Sequence, residues 1–197
     1  MGNVFRCYVE KRPPFAVEGA HLLQELRGAL GLTGLAGVRI LRRYDVEGVD
    51  RGAYEAARTT VLSEPQVDNV YEEDLPPVQG AHTLLAVEAL PGQYDQRADS
   101  CAQCIQMLTG GERPVVRSAT LYLLAGELSE ADMGKARGYL INPVESREAS
   151  LDKPETLIQQ YPEPADVPVL KGFLELDREG LEGVLNQYGL ADRKSVV

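Results

Sequence analysis

The chain has 197 residues, 44% hydrophobic and 25% charged, with a formal net charge of −10, the balance of a globular protein of one domain or of a small domain with an appendage. Residues 1–100 hold 10 Lys+Arg and 15 Asp+Glu, and residues 101–197 hold the same, so the excess acid is spread evenly and argues against nucleic acid or anionic membrane as partner. No apolar run reaches the roughly 20 residues of a membrane helix. The N-terminus shows no signal-peptide pattern, and three cysteines suit a reducing cytoplasm better than a disulfide framework.

Val4 to Lys11 reads as a strand, with Cys7 a small core residue. Pro13 and Pro14 end it and suit the start of a helix, where Ala16, Ala20, Leu23, Leu26 and Leu30 recur at helical spacing and Gly31 is placed as the stop. Val38 to Val49 is a second strand. Its Arg39, Arg42 and Arg43 fit an anion site or, more simply, a solvated sheet face or an interface. A helix over Arg51 to Leu62, a short strand over Gln66 to Tyr71 and a loop over Glu72 to Ala81 follow, the loop marked by Pro76, Pro77 and Gly80.

The order then restarts. Thr83 to Leu90 is a strand. The helix after Pro91 and Gly92 has Tyr94, Ala98, Cys101, Ile105 and Leu108 on one face. Val115 to Leu124 is a strand, Ser129 to Asp132 opens a helix to about Tyr139 in capping-box style, and Leu140 to Val144 is extended. Strand, helix, strand, helix, short strand, twice over, predicts an α+β fold of duplicated units whose antiparallel sheets pack with helices. From Glu145 the character changes. Pro154, Pro162, Pro164 and Pro168 mark a mostly extended linker, with a helical turn or two over Pro154 to Tyr161. Asp177 caps a last helix with Leu181, Val184, Leu185 and Tyr188 on one face and Gly189 as its stop.

Leu90 to Cys104 is the stretch where chemistry would be sought. Cys101 and Cys104 form a Cys-x-x-Cys pair, but zinc needs further ligands, and the chain offers only Cys7, His21 and His82, each in an unrelated element. A redox pair would sit at the helix start, whereas these lie about two turns in, with Cys101 on the apolar face. Core packing is the simpler reading. Asp95, Arg97 and Asp99 at the helix start fit capping and docking better than paired-carboxylate catalysis. Gly31, Gly34 and Gly37 follow a helix and precede a strand, the reverse of the order that aims helix amides at a phosphate. No residue is therefore assigned a catalytic, cofactor-binding or metal-binding role.

Several stretches resemble the N-terminal part of the large single-chain phosphoribosylformylglycinamidine synthases of purine biosynthesis. They are Tyr8 to Lys11, Arg39 to Gly48, Ser63 to Asp68, Leu90 to Ser100 and Asn142 to Ala149, in that order across nearly the whole chain. The resemblance implies an N-terminal domain over 1–144 like two fused copies of a small accessory subunit, and the start of a linker domain over 145–191. It implies ligase chemistry in the full-length enzyme. ATP, with magnesium, phosphorylates a formyl-amide oxygen, and ammonia from a Cys-His-Glu glutaminase displaces the phosphate to give an amidine. Those working groups belong to later domains, so this segment is expected to dock the synthetase and glutaminase domains and to be inactive alone. A stand-alone accessory subunit bridging separate synthetase and glutaminase chains is the alternative. A small-molecule-sensing module is a third. Residues 192–197, Asp-Arg-Lys-Ser-Val-Val, match the translation of a common sequencing adapter, GATCGGAAGAGCGTCGTG, so a truncated reading frame is expected there.

Overall fold

The structure is a computed structural model and describes residues 3–158 and 169–189. It divides into two compact units, Met1–Gln159 and Gln160–Val197. The first is an α+β unit whose elements run β1 (Phe5–Lys11), α1 (Val17–Gly28), β2 (Leu35–Glu47), α2 (Arg51–Thr60), β3 (Asp68–Glu72), β4 (His82–Ala89), α3 (Gln96–Thr109), β5 (Val115–Gly126), α4 (Glu130–Leu140) and β6 (Ser146–Glu148). The six strands make one antiparallel sheet in the order β3-β1-β2-β5-β4-β6. The long β2–β5 pairing is its centre, with Leu41 opposite Leu121.

Side chains alternate between the sheet faces, so one face of β2 carries Val38, Ile40, Arg42, Tyr44 and Val46. The helices cover this face in two apolar clusters. In the first, Phe5, Cys7, Tyr44 and Val46 meet Tyr54 of α2 and Ile105 of α3, and the Phe5 and Tyr54 rings stack with centroids 4.6 Å apart. In the second, Leu22 and Leu26 of α1 meet Leu35, Leu124 and Met133 of α4. Each fully buried leucine contributes about 1.5–3 kcal/mol. The opposite face is apolar at its middle, where Tyr8, Leu41, Ala86 and Leu121 lie under Leu75, Val78 and Ala149.

The helix starts follow their sequence signals. Asp50 accepts from Ala53 N at the start of α2, and Ser129 with Asp132 forms a capping box at α4. Gly31, at φ 69°, turns the chain after α1 so that Leu32 N donates to the Leu26 carbonyl.

Three local expectations are corrected. The last strand of the unit is β6, not Leu140 to Val144. Pro143 sits in a turn closed by Glu145 N and Ser146 N on the Asn142 carbonyl, which delays pairing until Ser146. Tyr94 and Leu108 do not face the core with Cys101 and Ile105. Tyr94 precedes the helix and is 72% exposed, and Leu108 is 46% exposed. Pro154–Ile158 is not helical, because the Leu157 amide donates to a side chain instead of a carbonyl one turn back. The rest of that expected turn, Gln159 to Tyr161, lies outside the described residues, as do Pro162, Pro164 and Pro168.

Residues 145–158, read from sequence as the start of a linker, include β6 and a segment packed on the sheet, and belong to the first unit. The described part of the second unit holds a 3-10 turn (Phe173–Glu175) and α5 (Arg178–Gln187). Asp177 caps α5 by accepting from Gly180 N, and Gly189 follows it at φ 61°. No helix among the described residues is long and apolar enough to cross a membrane.

Candidate functional site

Leu90 to Cys104 forms the turn after β4 and most of α3. Asp95 is the N-cap of α3 and accepts from Ala98 N at 2.9 Å. Its other oxygen accepts from the Ser118 hydroxyl at 2.8 Å and from Ser118 N at 3.2 Å, which pins the helix start to β5. Arg97 donates to the Tyr44 hydroxyl at 3.3 Å, and Asp99 accepts from Arg113 at 2.5 Å and from the Tyr94 hydroxyl at 3.0 Å. Asp95 and Asp99 thus have separate partners, as helix capping requires and as a shared-proton pair does not.

The cysteines are split by the helix. Cys101 is buried in the first apolar cluster beside Cys7, and Cys104 is exposed. Burial pushes the Cys7 thiol up to about 12 and the Cys101 thiol up to about 11, with Arg97 only partly offsetting the latter. Both are therefore protonated at neutral pH and poor nucleophiles. His21 lies exposed on α1, and His82 opens β4 with Nδ1 3.0 Å from the Gly80 carbonyl. Among the described residues, no group of three or more His, Cys, Asp or Glu is placed to hold a metal. Gly34 and Gly126 serve a close backbone approach, a Cβ at Gly34 running into the Glu127 carbonyl.

The arginines of β2 are taken up by carboxylates instead of forming an anion site. Arg39 grips Glu10 with bonds of 2.6 and 2.7 Å. Arg42 grips Glu18 at 2.8 Å. On the helix face a cleft of about 410 Å³ is lined by Lys11, Glu18, Arg42, Asp68 and Arg97, among others. There Lys11 pairs with Asp68 at 2.9 Å, so most of its charges are already matched.

The densest polar constellation lies on the other face of the sheet. Arg6 and Asp45 are both 2% exposed and joined twice, Nε to Oδ1 at 2.5 Å and Nη2 to Oδ2 at 3.0 Å. Burial works against the Arg6 charge, but the Asp45 hydrogen bonds and charge outweigh it and raise the Arg6 pKa. Arg43 lies alongside, its Nε 3.3 Å from Asp45 without hydrogen-bond alignment and its Nη2 3.7 Å from Glu88. Burial lowers the Arg43 pKa; the pull of Asp45 is opposed by Arg6 and does not restore it. Glu88 also holds Arg147 at 2.7 Å.

On the same face Glu47 accepts from Leu157 N and Arg117 donates to the Leu157 carbonyl; no local sequence pattern singles out these two residues, Arg6 or Asp45 as site residues. The signal was present in part: Arg43, Asp45 and Glu47 alternate, so they share one face of β2. What buries them is a segment about a hundred residues later, which no local pattern links to this strand.

Neither a protein-family model nor a curated protein matches the chain.

Proposed function

We propose that this chain is the N-terminal part of a phosphoribosylformylglycinamidine synthase, the ATP- and glutamine-dependent ligase of de novo purine biosynthesis. It acts there as a cytoplasmic scaffold that docks the synthetase and glutaminase domains and carries no catalytic group of its own. ATP, magnesium and the glutaminase nucleophile belong to later domains.

The observation that carries this reading is that stretches sharing the family resemblance, far apart in sequence, are wired to one another. Arg97 reaches Tyr44, linking Leu90–Ser100 to Arg39–Gly48. Leu90 N donates to the Glu145 carbonyl at 2.9 Å, and the Gln93 side chain donates to the Val144 carbonyl at 3.3 Å, linking Leu90–Ser100 to Asn142–Ala149. Residues engaged in this way hold a fold together, which suits a part that positions chemistry performed elsewhere.

The strand order gives separate support to a duplicated unit. β3-β1-β2 and β6-β4-β5 are the same arrangement met from opposite edges, and each set is joined through two helices in the same chain order. The mostly extended, proline-rich linker with a terminal helix, read from sequence over 145–191, belongs to the same proposal, although its first residues, 145–158, fall in the first unit.

A clean preparation of the chain, incubated with glutamine and with ATP, is expected to release neither glutamate nor ADP above a protein-free blank. Turnover that follows the protein through purification overturns the scaffold reading.

A further inference from the structure

Beneath residues 149–158 the sheet presents charged side chains where apolar ones would be less costly, since a buried ion pair forfeits hydration that its own attraction barely restores. Arg6, Arg43, Asp45 and Glu47 are all buried there. Their hydrogen bonds show what they hold. Arg43 Nη1 donates to the Ser150 carbonyl at 2.6 Å, and Arg6 donates to the carbonyls of Leu151 at 2.8 Å and Asp152 at 3.3 Å. Arg117 donates to the Leu157 carbonyl at 2.6 Å. Glu47 accepts from Leu157 N at 2.6 Å and from the Thr156 hydroxyl at 3.0 Å. Only Ala149 and Leu157 of the segment are buried, and the segment has no helix or strand of its own.

We propose that this face of the sheet is a peptide groove that reads main chain, and that residues 149–158 are a releasable latch seated in it. Four carbonyls and two amides are gripped, the second amide being Ala149 N on the Ala86 carbonyl, so recognition rests mainly on main chain, with side chains read at Ala149 and Leu157 by burial, at Thr156 by Glu47 and at Lys153 by Glu73. The charged floor also makes release inexpensive. When the latch lifts, guanidinium and carboxylate groups regain water, whereas lifting α1 or α3 would bare apolar surface. A latch held by charge-assisted bonds is therefore a low-free-energy opening within a more stable unit. Closed, it fixes the departure of the following chain at Ile158; open, the chain departs from β6. The proposal stands independently of the synthase assignment.

Amide hydrogen exchange on the full chain tests it. In the native protein under mild denaturant, the Leu157 amide is expected to exchange through an opening that leaves the paired amides of β2 and β5 protected. In an E47A/R117A variant its protection is expected to fall about tenfold or more, with the sheet unchanged. In an L151A/D152A variant it is expected to stay within about twofold, because those side chains bond no residue of the sheet. Exchange of Leu157 only together with β2 and β5 in the native protein overturns the latch, and needs no variant to fold. Equal loss of protection in the two variants overturns main-chain reading.

Discussion

Replacing Arg6 with methionine is expected to lower the unfolding free energy by about 3–5 kcal/mol, read as a drop in urea midpoint at unchanged slope. Methionine fills much of the space but leaves Asp45 buried with one hydrogen-bonding partner gone. Asp45 is 2% exposed, and its remaining cation, Arg43, approaches without hydrogen-bond alignment. A lone carboxylate there must stay charged in a poor solvent or take up a proton, and either costs most of what the pair was holding. Arg6 also loses its grip on the Leu151 and Asp152 carbonyls. The comparison is Arg113→Ala, which breaks the ion pair with Asp99 at the protein surface, where water screens both groups. Equal shifts for the two variants would mean that the buried cluster adds nothing to the fold.

The second large effect is expected at Gly126. This residue ends β5 at φ 124°, a conformation that side-chain-bearing residues rarely adopt. A Cβ there would run into the Gly34 carbonyl oxygen and the Ala36 amide nitrogen, both backbone atoms that cannot swing aside. The site lies where β2 shifts register against β5, between Leu35 and Gly37. Gly126→Ala is expected to cost about 2–6 kcal/mol, adding backbone strain to overpacking. Gly110→Ala is the control. Gly110 ends α3 at φ 65° with nothing within 4 Å of an added Cβ, so only the left-handed penalty of about 1–2 kcal/mol applies. Thermal melts of the two variants separate strain alone from strain plus collision, and equal melting points would contradict the close approach.

What could be read from sequence was set by range. Helix caps are local, so Asp95, Ser129 and Asp177 were legible as helix starts, as was Gly31 as a stop. Short runs rich in β-branched, aromatic and other apolar residues placed β1, β2, β4 and β5 to within a few residues. Failures came at an element boundary and where a tertiary partner decides. Tyr94 has the spacing of a core residue, yet it precedes α3, whose N-cap is Asp95, and its hydroxyl donates to nearby Asp99. Pro154–Ile158 looks like a helix start, yet Glu47 takes the amide that a helix would use. The role of Cys101 was legible from position alone, because a cysteine two turns into an apolar helix face packs against the sheet. The charged floor under residues 149–158 was not, because arginines and carboxylates on a strand read as solvated until something is known to cover them.

The proposed role of residues 1–158 as the scaffold of an amidoligase is tested most directly by a single-chain exchange, in which these residues replace the N-terminal region of an active phosphoribosylformylglycinamidine synthase. Glutamine-dependent amidine formation is then measured against the parent enzyme. The account predicts that the chimera retains glutamine-dependent amidation. A folded chimera whose synthetase domains bind ATP but which forms no amidine would contradict it.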